Sequence, residues 1–310
     1  MSIMRKKITV FGSFVVDLMG RTPHLPVAGE TVKGSMFKMG PGGKGFNQGV
    51  AAHKAGAEVT MVTKLGTDLF AEVALDAMKE LQMDTSHVFI TEETETGCAL
   101  ILVDENTSQN EILVILGSCN TITDAEVDSL SIVIEKSEYL LTQLETNVSS
   151  VERIVDMAYK KQVKVILNTA PVQPISDEIL SKVYLITPNE VEAEILTGIC
   201  VDSKEQADKA ADWFFEKGVK NVLITLGGRG VYIATPKKRG MVSAYRVDAI
   251  DTTGAGDAFN GGLVTALAEG KDIWEAADFA NGLAAIAVQR IGTTPAMPTR
   301  EEIDAFLLAH

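Results

Sequence analysis

Residues 249–262 read AIDTTGAGDAFNGG. Two threonines and three small residues, Gly254, Ala255 and Gly256, lead into Asp257. Phe259, Leu263 and Leu267 then recur at helical spacing, which predicts a helix starting near Ala255. The first N–H groups of a helix lack intrahelical partners, and the dipole there is positive. Small residues let that backbone approach a ligand, so the stretch can form an anion hole. Asp257 falls in the same first turn. Two readings fit it: a carboxylate stabilising a helix N-terminus, or a base that takes a proton from a hydroxyl attacking a phosphoryl group.

Working outward, short apolar runs alternate with longer helical patterns. KITVFG, VTMVTKLG, YLLTQLE, KVILNTAP, YLITPNE and NVLITLGG read as buried strands. Their near-continuous apolar character suits parallel strands covered on both faces. Helical patterns fall at 48–55, 69–81, 148–161, 191–196 and 205–217. The alternation predicts an α/β fold, a mainly parallel sheet flanked by crossover helices. Residues 29–40 alternate with period two, and 97–117 read as two strands around a polar turn at 104–110. These suggest a small antiparallel sheet standing apart, either an edge hairpin or a lid that shuts water out, with its strands within about 15–40 and 95–118. No repeat or linker divides the chain, so one domain over 1–310 is expected.

Three further stretches carry polar residues on glycine-rich turns. GPGGKGFNQGVAAHKAGA (40–57) resembles a phosphate-binding loop, but Gly45 follows Lys44 where Ser or Thr should stand. A helix is expected from near Phe46, with Gly42, Gly43, Lys44 and Asn47 converging on one place; a plain turn with a solvated lysine is the competing reading. TPNEVEAEILTG (187–198) offers Asn189 as a helix cap. Glu190 and Glu192 suit the helix start, and Asn189 with Glu192 could equally organise Mg²⁺ and its waters. ITLGGRG (224–230) ends a strand in glycines, a turn that a nucleotide or a plain hairpin could use. A GxGxxG fingerprint is missing from the first strand–helix turn, which disfavours a dinucleotide dehydrogenase.

Composition narrows the partners. The chain has 310 residues, 46% hydrophobic and 23% charged, and a net charge of −14. Phosphate-rich nucleic acid would be repelled, while a small anion held by backbone N–H groups is not excluded. Cys98, Cys119 and Cys200 are scattered and odd in number, which points to a reducing cytoplasm rather than a disulfide framework. The opening MSIMRKKITVFGSFVVDLMG mimics a signal peptide, but Asp17 interrupts it, no small-residue cleavage site follows, and a first buried strand is expected instead. No apolar run reaches membrane-span length, so no membrane partner is expected.

In this order, GGKGFN (42–47), QLE (143–145), TPNE (187–190), TLGGRG (225–230), DTTGAGDAFNGG (251–262) and REEIDAFL (300–307) resemble the PfkB carbohydrate kinases, and within them the ribokinase branch. The resemblance covers essentially the whole chain. It implies a Rossmann-like ribokinase fold with a β lid and an ATP-dependent kinase acting on the 5-hydroxyl of D-ribose. Asp257 would be the general base, with the anion hole at Gly254, Ala255 and Gly256. Val15, Asp17, Gly43, Lys44, Gly45, Asn47 and Glu145 would face the sugar. Asn189, Thr225, Leu226, Gly227, Gly228, Gly230, Gly256 and Asn281 would line the nucleotide site, with Glu192 arranging Mg²⁺. A monovalent cation, K⁺, would sit near Asp251, Thr253, Ala287, Arg290 and Gly292, several acting through carbonyls. A homodimer joined through the lids is implied as well.

Two departures qualify these expectations. Ala296 stands where such kinases often supply a serine to the cation, and Val15 replaces the Asn of a G-S-x-N-x-D pattern in GSFVVD (12–17). Valine offers no hydrogen bond, and a sugar hydroxyl left unpaired there costs about 1–3 kcal/mol. An apolar wall suits 2-deoxy-D-ribose, which is the alternative substrate. A nucleoside kinase and a non-catalytic sugar-binding regulator are further readings. A phosphosugar kinase would need extra cations, and the sugar-facing motifs contain no such cluster.

Overall fold

The computed structural model describes residues 7–107 and 109–310. Arg5 and Lys6 of the basic opening stretch lie outside the described residues, as does Ser108 within the polar turn at 104–110. The strands are β1 (Lys7–Phe11), β2 (Val15–Thr22), β3 (Met36–Gly42), β4 (Glu58–Leu65), β5 (Val88–Ile90), β6 (Thr96–Asp104) and β7 (Asn110–Gly117). They continue with β8 (Tyr139–Thr142), β9 (Lys164–Leu167), β10 (Leu185–Ile186), β11 (Val222–Thr225), β12 (Val231–Ala234) and β13 (Arg239–Val242).

Nine strands form the main sheet in the order β13-β12-β11-β10-β9-β8-β1-β4-β5. The pairs from β11 through β10, β9, β8, β1 and β4 to β5 are all parallel. Successive strand residues alternate between two cores. Ile8 and Val10 enter one and Phe11 the other; Leu141 enters the first, Leu140 the second. The runs are therefore mostly apolar because helices cover both faces, and the buried exceptions are chiefly threonines, such as Thr9, whose hydroxyl meets Ser137 Oγ at 2.7 Å. On the first face lie helices Lys44–Lys54, Leu69–Glu80, Ala255–Ala268 and Ile273–Ala287; on the second, Val148–Lys160, Glu190–Thr197 and Lys204–Glu216.

Helices Lys44–Lys54 and Ala255–Ala268 cross at van der Waals contact. A Cβ on Gly261 would lie 2.5 Å from Ala51 Cβ and 2.7 Å from Gln48 O, so only glycine permits this approach. The crossing sets the first turns of both helices side by side at the C-terminal ends of the parallel strands, where open α/β sheets place their ligands.

The second sheet has the order β3-β2-β6-β7. Its outer pairs are antiparallel, as expected, whereas the central pair β2–β6 is parallel. Both central strands rise out of the main sheet, β2 directly after β1 and β6 after β5, so they share a direction. The period-two pattern at 29–40 becomes a strand only from Met36, and the other lid strand on that side is β2. The elements not legible in the alternation include the antiparallel edge β12–β13, short β5, helix Ile273–Ala287 and the short helices Asp124–Ser129 and Ser131–Glu135. Two of these carried signals. Thr123 with Glu126 and Asp272 with Glu275 are reciprocal capping boxes. Among the described residues, no helix is long and apolar enough to cross a membrane.

Candidate active site

The loop before helix Ala255–Ala268 turns on Gly254, whose φ of 76° is left-handed. No side chain caps this helix. Ala255 N donates to Thr252 O at 3.2 Å, while the N–H groups of Gly256 and Asp257 find no acceptor among the described residues. A Cβ on Gly256 would meet nothing within 4 Å, so this turn opens into free space. It is an anion-binding geometry: unpaired donors at a positive dipole end.

Asp257 lies just behind it, with 7% of its surface exposed. Asn47 Nδ2 donates to its Oδ2 at 3.0 Å, and Gln48 Nε2 donates to its Oδ1 at 3.0 Å. Asn47 is held in turn by Thr294 Oγ1, which donates to its Oδ1 at 2.9 Å. Gln48 is held by Gln143 Nε2 at 2.7 Å and reaches Asn168 Oδ1 at 3.1 Å. Asn168 passes the chain to Thr187 O at 2.9 Å, and Thr187 Oγ1 donates to Asn260 Oδ1 at 2.6 Å. The sequence reading missed Gln48, Gln143, Asn168 and Thr294. The only local signal was a polar Gln beside Asn47 on a helix that is otherwise apolar on that side.

Two more carboxylates converge here. Glu145 Oε2 accepts from Ser13 Oγ at 2.5 Å and from the Lys44 N–H at 2.8 Å. The Asp17 carboxylate lies over Gly42, where a Cβ would approach it to within 2.4 Å. Burial, then the charges of Glu145 and Asp257, push the Asp17 carboxyl up to about 7. Burial also raises Asp257 above the ordinary carboxylate range, with Lys44, Gln48 and Asn47 partly offsetting it. Glu145 is raised for the same first reason, against the pull of Lys44. Burial alone would lower the Lys44 ammonium, yet the nearby charges of Asp257, Glu145 and Glu192 outweigh it and raise its pKa. The helix starts at Lys44 rather than near Phe46, because Gly43, with φ 91°, is already its N-cap. Gly45 is buried against the Gly12–Ser13 backbone and contributes packing at this spot. Val15, 2% exposed, shares a lid face with Asp17 two residues on.

Two cavities flank the turn. One, of about 340 Å³, lies under the second sheet and is lined by Asp17, Lys38, Ile101, Asp251, Thr252 and Thr293 among others. The other, of about 490 Å³, is lined by Asn189, Thr225, Gly227, Gly228, Gly230, Gly256 and Asn281, with apolar walls from Val247, Phe259, Ala284 and Val288. Ala249 and Thr252 line both, so the two chambers adjoin at the loop that carries the free N–H groups. Leu226 lies outside this group: its side chain is buried in the second core. Glu192 is tied into a reciprocal cap with Asn189 and accepts from Thr169 Oγ1 at 2.9 Å.

The residues expected at a cation fall into two sets. Asp251 Oδ1 accepts from Thr253 N and Oδ2 from Gly292 N, both at 2.9 Å, tying two loops together. Burial would raise Asp251, but those hydrogen bonds outweigh it, so it is held below the usual range and anionic. An anionic oxygen among backbone carbonyls is a donor set that fits a hard monovalent cation. The Arg290 side chain points elsewhere, pairing with Glu302 at 2.6 Å, so only its backbone is available. Among the described residues, no group of three or more His, Cys, Asp or Glu could cage a metal. Mg²⁺ at Glu192 therefore fits only as a hydrated ion shared with phosphates, its usual manner. Two cations unforeseen in the motifs, Arg21 and Lys38, reach under the lid on the Asp251 side of the cavity. Their placement depends on the β2–β3 register, which no local pattern announced.

Residues 5–300 match the pfkB family carbohydrate kinase model. The chain is 42% identical to a ribokinase of Haemophilus influenzae over 304 residues, covering 98% of this chain and 99% of that one. It is 35% identical to a deoxyribokinase of Salmonella typhi over 301 residues, 97% and 98% of the two chains. A solved Arabidopsis thaliana ribokinase complexed with ribose and ATP superposes with a TM-score of 0.90 at 28% identity, over 98% of this chain and 99% of that one. A motif-bearing turn, two adjoining chambers, a family match over nearly the full length and full-length relatives agree: the chain belongs to the pfkB family of carbohydrate kinases and is an ATP-dependent sugar kinase of the ribokinase type.

Proposed function

We propose that this kinase transfers the γ-phosphoryl group of ATP to the 5-hydroxyl of D-ribose, with the whole chain, 1–310, acting as one unit. The observation that carries the reading is the buried Asp257 carboxylate beside the unpaired N–H groups of its own helix turn. The sugar meets Asp17, Lys44, Asn47, Glu145 and the backbone at Gly43 beside Asp257; of these, Asp17 also lines the cavity under the lid. ATP occupies the chamber lined by Asn189, Thr225, Gly227, Gly228, Gly230 and Asn281. The sugar oxygen forms a bond to the γ-phosphorus, the bond from that phosphorus to the β-bridging oxygen breaks, and the hydroxyl proton passes to Asp257. The N–H groups of the 254–256 turn receive the charge on the transferred group, donors fixed in place before reaction. Asn47 and Gln48 aim the carboxylate, and burial makes it a stronger base than a solvated aspartate.

Glu192 and Asn189 would hold hydrated Mg²⁺; Asp251, with the backbone at Thr253, Ala287, Arg290 and Gly292, would hold K⁺. Bound there, the ions neutralise phosphate charge and brace the loop carrying the N–H groups. Ribose leads 2-deoxyribose because the ribokinase relative is the more similar of the two. Val15 supports the second reading, since its apolar side chain shares the face of Asp17. A cytoplasmic enzyme fits the free cysteines and the ATP requirement.

The outer face of the lid supports a homodimer. Met39, Leu18, Leu100 and Leu113 stand in register across all four strands. Phe37 and Leu113 are 69% and 58% exposed. An apolar sheet face of this kind marks an interaction surface, and the same face on a second copy covers it with matching chemistry.

The first experiment follows ADP release with Mg-ATP and either D-ribose or 2-deoxy-D-ribose, in K⁺ and in Na⁺. A higher kcat/KM for ribose, with K⁺ activation, is expected. Val15→Asn should shift the ratio further toward ribose; an unchanged ratio removes Val15 as a determinant. A preference for deoxyribose would replace the ribose reading, and turnover of neither sugar would end both.

Asp257→Asn should lower kcat by about 10²–10⁴-fold with little change in ATP binding. The kcat/KM profile of the unaltered enzyme should fall at acid pH with an apparent pKa above the carboxylate norm of about 4. That value belongs to the coupled cluster of Asp17, Glu145 and Asp257. An acid limb at the ordinary value would contradict the assignment.

Asp17 should also leave a mark on stability. Its carboxyl titrates at about 7 when folded against 3.8 ordinarily. Between those values the folded state holds a proton that the unfolded state has lost, so stability falls as pH rises through this window. Asp17→Asn should therefore raise Tm at pH 8, and less so at pH 5, while raising KM for the sugar about tenfold or more. A lower Tm at pH 8 would count against the buried charge.

Light scattering at micromolar concentration should give the mass of a dimer, and Leu113→Lys should shift it toward the monomer. A monomer mass for the unaltered chain would rule out the lid pairing.

A further inference from the structure

At the end of the sheet opposite the active site, the N-terminal ends of the parallel strands open onto a cavity of about 550 Å³. Tyr139 and Lys164 are the first residues of β8 and β9, and Tyr184 and Asn221 immediately precede β10 and β11. The turn 235–238 between β12 and β13 closes one side, and the 270–274 connection between two helices closes the other.

The charge of this lining is out of keeping with the chain. Acidic residues outnumber Lys and Arg by 42 to 28 overall, yet the cavity gathers Lys164, Lys237, Lys238 and Lys271 against one carboxylate, Asp272. That carboxylate is already committed, accepting from Trp274 N at 2.8 Å and Glu275 N at 2.9 Å. Lys164 is held by Glu138 and the Tyr139 hydroxyl, both at 3.4 Å. Lys237, Lys238 and Lys271 form no ion pair among the described residues. The Lys238 ammonium instead lies 3.9 Å from the centre of the Trp274 ring. Unpaired cations gathered in a concavity focus a positive potential even within an acidic protein.

We propose that this cavity is a second binding site, separate from the sugar and ATP chambers, for a small phosphate-bearing molecule. Three compact ammonium groups on flexible stems suit a multiply charged tetrahedral anion, whereas a flat carboxylate is better met by the planar fork of arginine. The Trp274 and Tyr184 rings give the organic part of such a molecule an apolar wall. The inference stands apart from the substrate reading, because none of these residues belongs to the catalytic chambers.

The chain has two tryptophans, so Trp213→Phe leaves Trp274 as the sole reporter. Inorganic pyrophosphate is titrated into this protein at constant ionic strength set with chloride. Trp274 emission is followed, and calorimetry of the same titration gives the stoichiometry. A saturable change is expected. Its Kd should weaken about tenfold or more in the Lys237→Ala/Lys238→Ala/Lys271→Ala variant, whose ribose turnover without added anion stays unchanged. If that variant does not fold, the three single Lys→Gln variants give the same readout, each weakening binding. No saturable binding by either method overturns the proposal, as does a Kd that the lysine variants leave in place.

Discussion

The site depends on one contact: two helices crossing closely enough that the Asn47 and Gln48 side chains reach the Asp257 carboxylate. A carboxylate with 7% exposure is costly to charge unless donors meet it. Here two amide donors meet it, and a lysine ammonium compensates at longer range. Amides fix the orientation of the carboxylate without neutralising it as a guanidinium in direct contact would. In the proposed reading this is what lets it accept the hydroxyl proton. Each amide is anchored by a further partner, Thr294 for one and Gln143 for the other, so the arrangement is set before any ligand arrives.

Beside Asp257 lies a second buried carboxylate, Glu145, and a third, Asp17. Beyond burial, the charges of Glu145 and Asp257 raise the Asp17 carboxyl, Asp257 raises Glu145, and the Lys44 ammonium offsets burial at Glu145 and Asp257. In the proposed reading, a polyhydroxylated sugar meets such acceptors with its own O–H donors. The lid brings apolar and cationic side chains over it from above, lowering access to solvent where charge transfer takes place.

Much of this was legible along the chain, and what was not has a common cause. The parallel core could be read because strands buried on both faces are mostly apolar, as Ile8, Val10 and Phe11 show, with Thr9 the hydrogen-bonded exception. The glycine turn before Asp257 could be read because free N–H groups and a left-handed residue leave a local signature at Gly254. The β12–β13 edge was not legible because each strand spans only four residues: β12 is buried on both faces, whereas β13 has no fully buried position and reads as a polar turn continuing from 235–238. Gln143 and Asn168 carry no local signature, and Gln48 only the weak one of a polar residue on an apolar helix face: each meets a partner roughly a hundred or more positions away. The direction of β2 against β6 was likewise invisible, since it follows from where both strands leave the main sheet.

The span between Asn47 and Asp257 is 210 positions. A chain emerging from the ribosome makes Asn47 and Gln48 early and their acceptor only in its last third. Until then the amides of helix Lys44–Lys54 have no carboxylate to hold, and the turn with free N–H groups does not exist. Acceptor, donors and the turn with free N–H groups become complete in one late step, the docking of helix Ala255–Ala268 onto a sheet whose strands have all been made. Vectorial synthesis thus leaves this arrangement incomplete until most of the chain has been made.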